Sequence, residues 1–310
     1  MLFALAACAS CVEPGHERAE WITDGVAASA EVHTTLRADA VPLLREMERR
    51  LGAGIARLEP QAAESAIGRL NRATRGELQR VDDLDAFRCL ALALAYARAS
   101  DGAYDPTLGA PAGWRQVALA RELRAVRLPE STLALDLGEV GHGCALDWAA
   151  RVFARPGTRA GVLRLGQAIW AWREPPDSAT WRVRVPDPRD PRRSLLTIRV
   201  ANRALATAGR SGFRAAAATP SSDVRAALAL AGSAADAAAL AQVLLAAGSL
   251  EAARTLERTR GAEALLVVDA RGGRPFVLVS AALEGHVEPS AELVSETAAD
   301  LRFLLPPAPR

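Results

Sequence analysis

Residues 135–147 read LDLGEVGHGCALD: an apolar strand end, three glycines within six positions (Gly138, Gly141, Gly143), then the start of a helix. Two local readings are open. Glycine supplies the positive φ angles of a tight strand-to-helix turn. Equally, such a backbone can approach a pyrophosphate, with the helix dipole and its free N–H groups attracting the anion. Glu139 and His142 lie inside the loop and bear on the choice. A lone histidine here reads as a surface or helix-start residue rather than a base, and Cys144 as a small buried residue rather than an activated thiol.

Outward from this loop, the pattern mixes helices and strands. Residues 39–58 read as an amphipathic helix with Asp39 as N-cap, Pro42 in the first turn, and Val41, Leu44, Met47, Leu51, Ile55 and Leu58 at helical spacing. A second helix is expected from about Asp82 to Ala99, followed by the turn-rich SDGAYDPTLG at 100–109. Strand-like runs stand at 133–137, 161–165, 181–185, 195–200 and 264–268, and the Ala-rich 223–260 reads as a strand and two helices. Without strict βαβ alternation, this order predicts an α+β architecture.

The 310 residues suit one large domain. We expect a segment resembling a signal or lipoprotein leader over 1–20, one domain over 21–304 and a disordered tail over 305–310. In that leader Leu5, Ala6, Ala7 and Cys8 resemble a lipobox, which would put a lipid anchor at Cys8 and the protein on the periplasmic side of a bacterial envelope. No other stretch approaches the ~20 apolar residues of a membrane span.

The 38 basic and 36 acidic residues are interspersed, a net of +2, giving no electrostatic case for nucleic acid. All 38 basic residues are arginine, which excludes lysine Schiff bases and a P-loop lysine. The cysteines, at 8, 11, 89 and 144, have no histidine at ligand spacing; neither a zinc site nor a disulfide framework is expected.

The order SAIGRLN (65–71), SDGAYDPTLG, LDLGEVGHGCALD, LRLGQAI (163–169), ALATAG (204–209) and an Ala-rich helix ending at Ala247 and Gly248 resembles the ApbE family, the FAD:protein FMN transferases. The resemblance covers most of residues 25–270. It implies mixed β-sheets flanked by helices, with a ligand crevice between two closely packed lobes. It also implies FAD as substrate, Mg²⁺ as cofactor, and an acceptor flavoprotein whose Thr or Ser receives FMN as AMP leaves. Carried over to matching positions, it places Ser65, Asn71, Tyr104, Asp105, Pro106, Thr107, Asp136, Gly138, Gly141, Gly143, Asp147, Arg164 and Gly166 at the nucleotide, and makes the Gly141 carbonyl a metal ligand.

The departures fall at the chemical positions. Glu139 stands where the family has Gly, Gly141 where it has Ala, and His142 where it has Lys. Arg164 replaces Asn, and Gln167 and Ala168 replace Gly-Asp. Ala238 and Gln242 occupy the family's metal-ligating Asp and Thr positions. The family's H-I-x-D-P segment is replaced by GFRAAAATPSS (212–222). Asp236 is no substitute ligand, because Ser233 and Asp236 have capping-box spacing and two helical positions turn a side chain by about 200°. Losing about 3 kcal/mol of Lewis-acid stabilisation would slow transfer roughly a hundredfold. One compensation would be a guanidinium from Arg164, Arg210 or Arg214. The sequence therefore supports two readings: a flavin transferase with an altered metal site, or a non-catalytic flavin-binding or scaffold protein of the envelope.

Overall fold

The computed structural model of the chain describes residues 13–129, 132–176, 180–187, 190–209, 223–268, 276–290 and 301–303. Cys8, the tail at 305–310, Arg210, Arg214 and GFRAAAATPSS lie outside the described residues.

The first elements, β1 (Gly15–Thr23) and β2 (Val26–Thr34), form an antiparallel hairpin, so ordered structure begins inside the leader-like segment. Its two-residue turn is Asp24 and Gly25, at φ 50° and 73°, the left-handed pair that matches the twist of adjoining strands. Helix α1 (Arg37–Leu58) buries Leu44, Met47, Leu51, Ile55 and Leu58 as its spacing predicts, whereas Val41 of the same set is exposed. It starts two residues before Asp39, on Leu36 with no side-chain cap, so Pro42 lies inside it and removes one helical hydrogen bond.

A small lobe follows: α2 (Ala66–Arg72), β3 (Leu78–Arg80), α3 (Leu84–Ala99), β4 (Thr107–Leu108), β5 (Ala118–Ala120), β6 (Ala125–Arg127) and β7 (Ala134–Leu135). Asp83 caps α3 by accepting from the Ala86 N–H at 3.0 Å. The glycine loop then opens α4 (Gly138–Ala150).

The remainder is mostly sheet: β8 (Thr158–Leu165), β9 (Ala168–Trp172), β10 (Trp181–Asp187), β11 (Asp190–Val200), β12 (Arg203–Gly209) and β13 (Val224–Ala231). Helices α5 (Ala234–Ala247) and α6 (Ser249–Arg258) precede β14 (Glu263–Val268), β15 (Phe276–Val279), β16 (Val287–Pro289) and β17 (Leu301–Phe303). The strand and two helices expected over 223–260 are β13, α5 and α6.

Among the described residues a nine-stranded sheet runs β1-β2-β8-β9-β12-β13-β14-β15-β17, and β10-β11-β16 form a second sheet. Trp181, Val183 and Val185 alternate inward from β10 and pack with Leu196, Ile198, Val162, Leu205, Leu228 and Leu265 between the two sheets. The other face of the large sheet carries α1, α4 and α5, through Met47, Leu51, Leu146, Phe153, Leu163, Leu165 and Ala238. This is the mixed α+β arrangement the sequence predicts.

The cysteine reading needs correction. Cys89 of α3 and Cys144 of α4 form a disulfide with their Cα atoms 6.1 Å apart. They are separated by 55 residues, and only the packing of α3 on α4 brings them together.

Candidate functional site

Two crevices meet at the first turn of α4. One, of about 230 Å³, is lined by Leu58, Pro60, Gln61, Asp136, Gly138, Gly141 and His142. The other, of about 370 Å³, lies between α4, the ends of the large sheet and the β10-β11 hairpin; Val26, Glu139, His142, Gly166, Gln167, Pro186, Thr207, Leu228 and Val267 line it. His142 belongs to both. The larger volume is in the range of small-molecule sites, and its apolar wall with a polar end suits a ring system carrying a charged tail.

The sequence motifs build this place from beneath. Asn71 holds residue 135 at both ends: its Oδ1 accepts from the Leu135 N–H at 2.7 Å, and its Nδ2 donates to the Leu135 carbonyl at 2.9 Å. The Asp136 N–H donates to the Pro106 carbonyl at 2.9 Å, and the Tyr104 hydroxyl donates to the Leu137 carbonyl at 3.1 Å. Three successive backbone units are thus fixed by two segments, Asn71 of α2 and the loop carrying Tyr104 and Pro106. Asp105 is spent within its own turn, accepting from the Thr107 N–H and hydroxyl at 3.0 and 2.7 Å. Ser65 caps α2, accepting from the Gly68 N–H at 2.7 Å and donating to the Glu59 carbonyl.

Of the residues that the family resemblance places at the nucleotide, Asp136, Gly138, Gly141 and Gly166 line the crevices. Ser65, Asn71, Tyr104, Asp105, Pro106 and Thr107 support the loop and are not among the lining residues. Gly143 faces α5, where an added Cβ would stand 2.6 Å from the Ala234 carbonyl oxygen. Asp147 is turned the same way, accepting from the Ala234 and Ala235 N–H groups at 2.7 and 3.0 Å and from Trp170 Nε1 at 2.8 Å. Burial pushes the Asp147 carboxyl up to about 6, against the pull of those three donors. Arg164 lies on β8 across from Ser29 and lines neither crevice; burial lowers its pKa, while the charge of Glu31 works the other way.

The start of α4 has its own chemistry. Gly138 is at φ 50°, with open space where a Cβ would be, and its N–H donates to Asp136 Oδ1 at 2.9 Å. Leu137 provides no side-chain cap, so Asp136 is the side chain that meets this helix end, at the Gly138 N–H. His142 Nδ1 lies 3.6 Å from Glu139 Oε2. Burial pulls the imidazole down, but Glu139, Asp24 and Asp136 together outweigh it and leave His142 above its usual range. Sequence reasoning undervalued His142, Glu139, Gln167 and Thr207; the last two are joined by a 2.7 Å hydrogen bond across the crevice wall.

The metal implied by the family does not fit these residues. Ala238 and Ala168, where the family has carboxylates, are 3% and 1% exposed and belong to one apolar cluster that also holds Ala206. Gln242 is half-buried on α5. Asp236 is turned away, its carboxylate accepting from Tyr96 at 3.0 Å and from Ser233 at 2.5 Å. Gly141 is the fourth residue of α4, so its carbonyl points down the helix. Among the described residues, no trio of ligating side chains converges at α4.

Fold and site define an α+β protein whose glycine-led helix start opens into two adjoining crevices. The family model described as the ApbE family matches residues 26–266, and the chain belongs to that family. Solved structures similar to it include the flavin transferase ApbE from Vibrio cholerae, at 18% identity and TM-score 0.75 over 88% of this chain and 100% of that one. The Pseudomonas stutzeri flavinyl transferase ApbE is 19% identical, with TM-score 0.71 over 88% of this chain and 97% of that one. The ApbE protein from Thermotoga maritima gives 18% and 0.69 over 90% and 98%. A search of curated proteins found no match.

Proposed function

We propose that the chain binds FAD at the start of α4 and transfers its FMN half to a Thr or Ser hydroxyl of an acceptor flavoprotein, slowly and without a bound metal. One observation carries the reading: two crevices, one apolar and one lined by the glycine-led helix start, converge on His142. In the reaction the acceptor oxygen attacks the FMN-side phosphorus, the P–O bond to AMP breaks with its electron pair going to AMP, and the hydroxyl proton is released to solvent. The positive end of the α4 dipole and the His142 imidazolium face the diphosphate.

Asp24, Asp136 and Glu139 oppose an anion at the same place, and they also hold the charge on His142, so FAD affinity rises as pH falls and His142 charges. With alanine at positions 168 and 238, the stabilisation a metal would give in the transition state is missing, which supports weak transfer. The same alanines favour the second reading, a flavin-binding protein with no transfer. Incubating the protein with FAD and an acceptor flavoprotein, then following covalent flavin fluorescence on the acceptor, separates the two: slow labelling sustains the first, and none over days leaves the second.

The buried disulfide supports an oxidising compartment, in keeping with an envelope location.

A further inference from the structure

On the sheet face away from α1, the hairpin β1-β2 gathers a second chemical group. His16 and His33 are directly opposite in the antiparallel ladder, and Glu31 is two residues from His33. Because side chains alternate with a period of two, all three stand on one face. The imidazoles stack with centroids 4.2 Å apart and planes 8° from parallel. Glu31 Oε1 lies 3.0 Å from His16 Nε2 and 3.7 Å from His33 Nε2. One ligand atom from each residue falls within 4.8 Å of the others.

We propose that His16, Glu31 and His33 bind one divalent transition ion, for which zinc is the probe. Two imidazole nitrogens and a carboxylate oxygen are a zinc donor set, and donor atoms under 4.8 Å apart can share an ion about 2.0–2.2 Å from each after small rotations. The stack opens by rotation of the His16 ring about its side-chain torsions, which aims both nitrogens at one point. His16 is exposed and free to turn, whereas His33 is buried beside the Trp181 ring, centroids 5.8 Å apart, and presents a fixed nitrogen. Arg18 and Arg164 share this face and oppose a dication. Glu20, 2.5 Å from Arg18, offsets one of them. Such a site discriminates by ligand type rather than by charge: it takes zinc, nickel or copper and leaves Mg²⁺ and Ca²⁺ in solution. An ion here would staple the edge strand β1 to β2.

Equilibrium dialysis of the full chain against zinc, with cobalt as a spectroscopic probe, tests this. The expected result is one zinc per chain, undiminished by excess Mg²⁺, with a nitrogen and oxygen cobalt spectrum. Affinity should fall by at least about tenfold in both His16→Ala and Glu31→Gln, the lower end of what losing even an outer partner costs a metal site. His16 is exposed, so His16→Ala leaves the fold intact, and zinc should raise the melting temperature of the parent chain but not of this variant. Zinc binding unchanged in both variants, a thiolate charge-transfer band assigning the ion to Cys8 and Cys11, or no binding at all would overturn the proposal.

Discussion

Two helix starts in this protein, those of α4 and α5, are finished in different ways. The first turn of α5 is closed: Ser233 accepts from the Asp236 N–H at 3.1 Å, and Asp147, reaching over from α4, takes the Ala234 and Ala235 N–H groups. The first turn of α4 has no cap from Leu137, has the Gly138 N–H held by Asp136 alone, begins at a glycine with positive φ and faces two crevices. The contrast teaches where helix-start backbone is consumed in packing and where it borders open crevices. It also explains the alanine-rich α5: a helix that serves as a packing surface, with Gly143 letting α4 lie against it, needs small apolar residues rather than metal ligands.

The largest test concerns how α4 is held. Replacing Cys89 and Cys144 with alanine frees a loop of 55 residues, and unfolding titrations should show a loss of about 4 kcal/mol. The next strikes the closed helix start. Asp147→Ala strands two N–H groups and Trp170, and should lower stability by about 3 kcal/mol with little change in FAD affinity.

Asp147 also gives a pH signature. Its folded pKa, about 6, is above the ordinary 3.8, so its stabilising contribution is complete below the lower value and is lost as pH rises through about 6. Asp147→Asn should flatten the stability profile between those two limits; an unchanged profile would refute the assignment.

At the open helix start the effects are on binding. His142→Gln should weaken FAD about tenfold at pH 6, roughly 1.4 kcal/mol, and remove most of the acid enhancement seen in fluorescence titrations. Smallest is Gly138→Ala, where the added Cβ meets nothing but the positive φ costs about 1 kcal/mol. If it instead abolishes FAD binding while stability barely changes, the backbone approaches the ligand more closely than proposed.

Much of this was legible in sequence. The alternation of WRVRV at 181–185 gave β10, helical spacing gave α1 and α3, and the ordered motifs gave the family. The hairpin of β1 and β2 was harder, since its polar residues on one face and its overlap with a leader-like segment mask the strand pattern. The Asp24 and Gly25 pair was the available signal, and reading it would have set His16 opposite His33. The disulfide and the burial of Ala238 depend on helix packing, which no local pattern encodes. Asn71, Tyr104 and Pro106 were found as motif residues, but that they brace residues 135–137 from below follows only from the fold.

The central claim is that the flavin nucleotide is held by the open start of α4 without metal. A fluorescence titration of the full chain with FAD, run with Mg²⁺ and with EDTA, tests it most directly. The account predicts one affinity under both conditions, stronger at pH 6 than at pH 8. Binding that requires Mg²⁺ would contradict it and would mean that ligands outside the described residues complete a metal site.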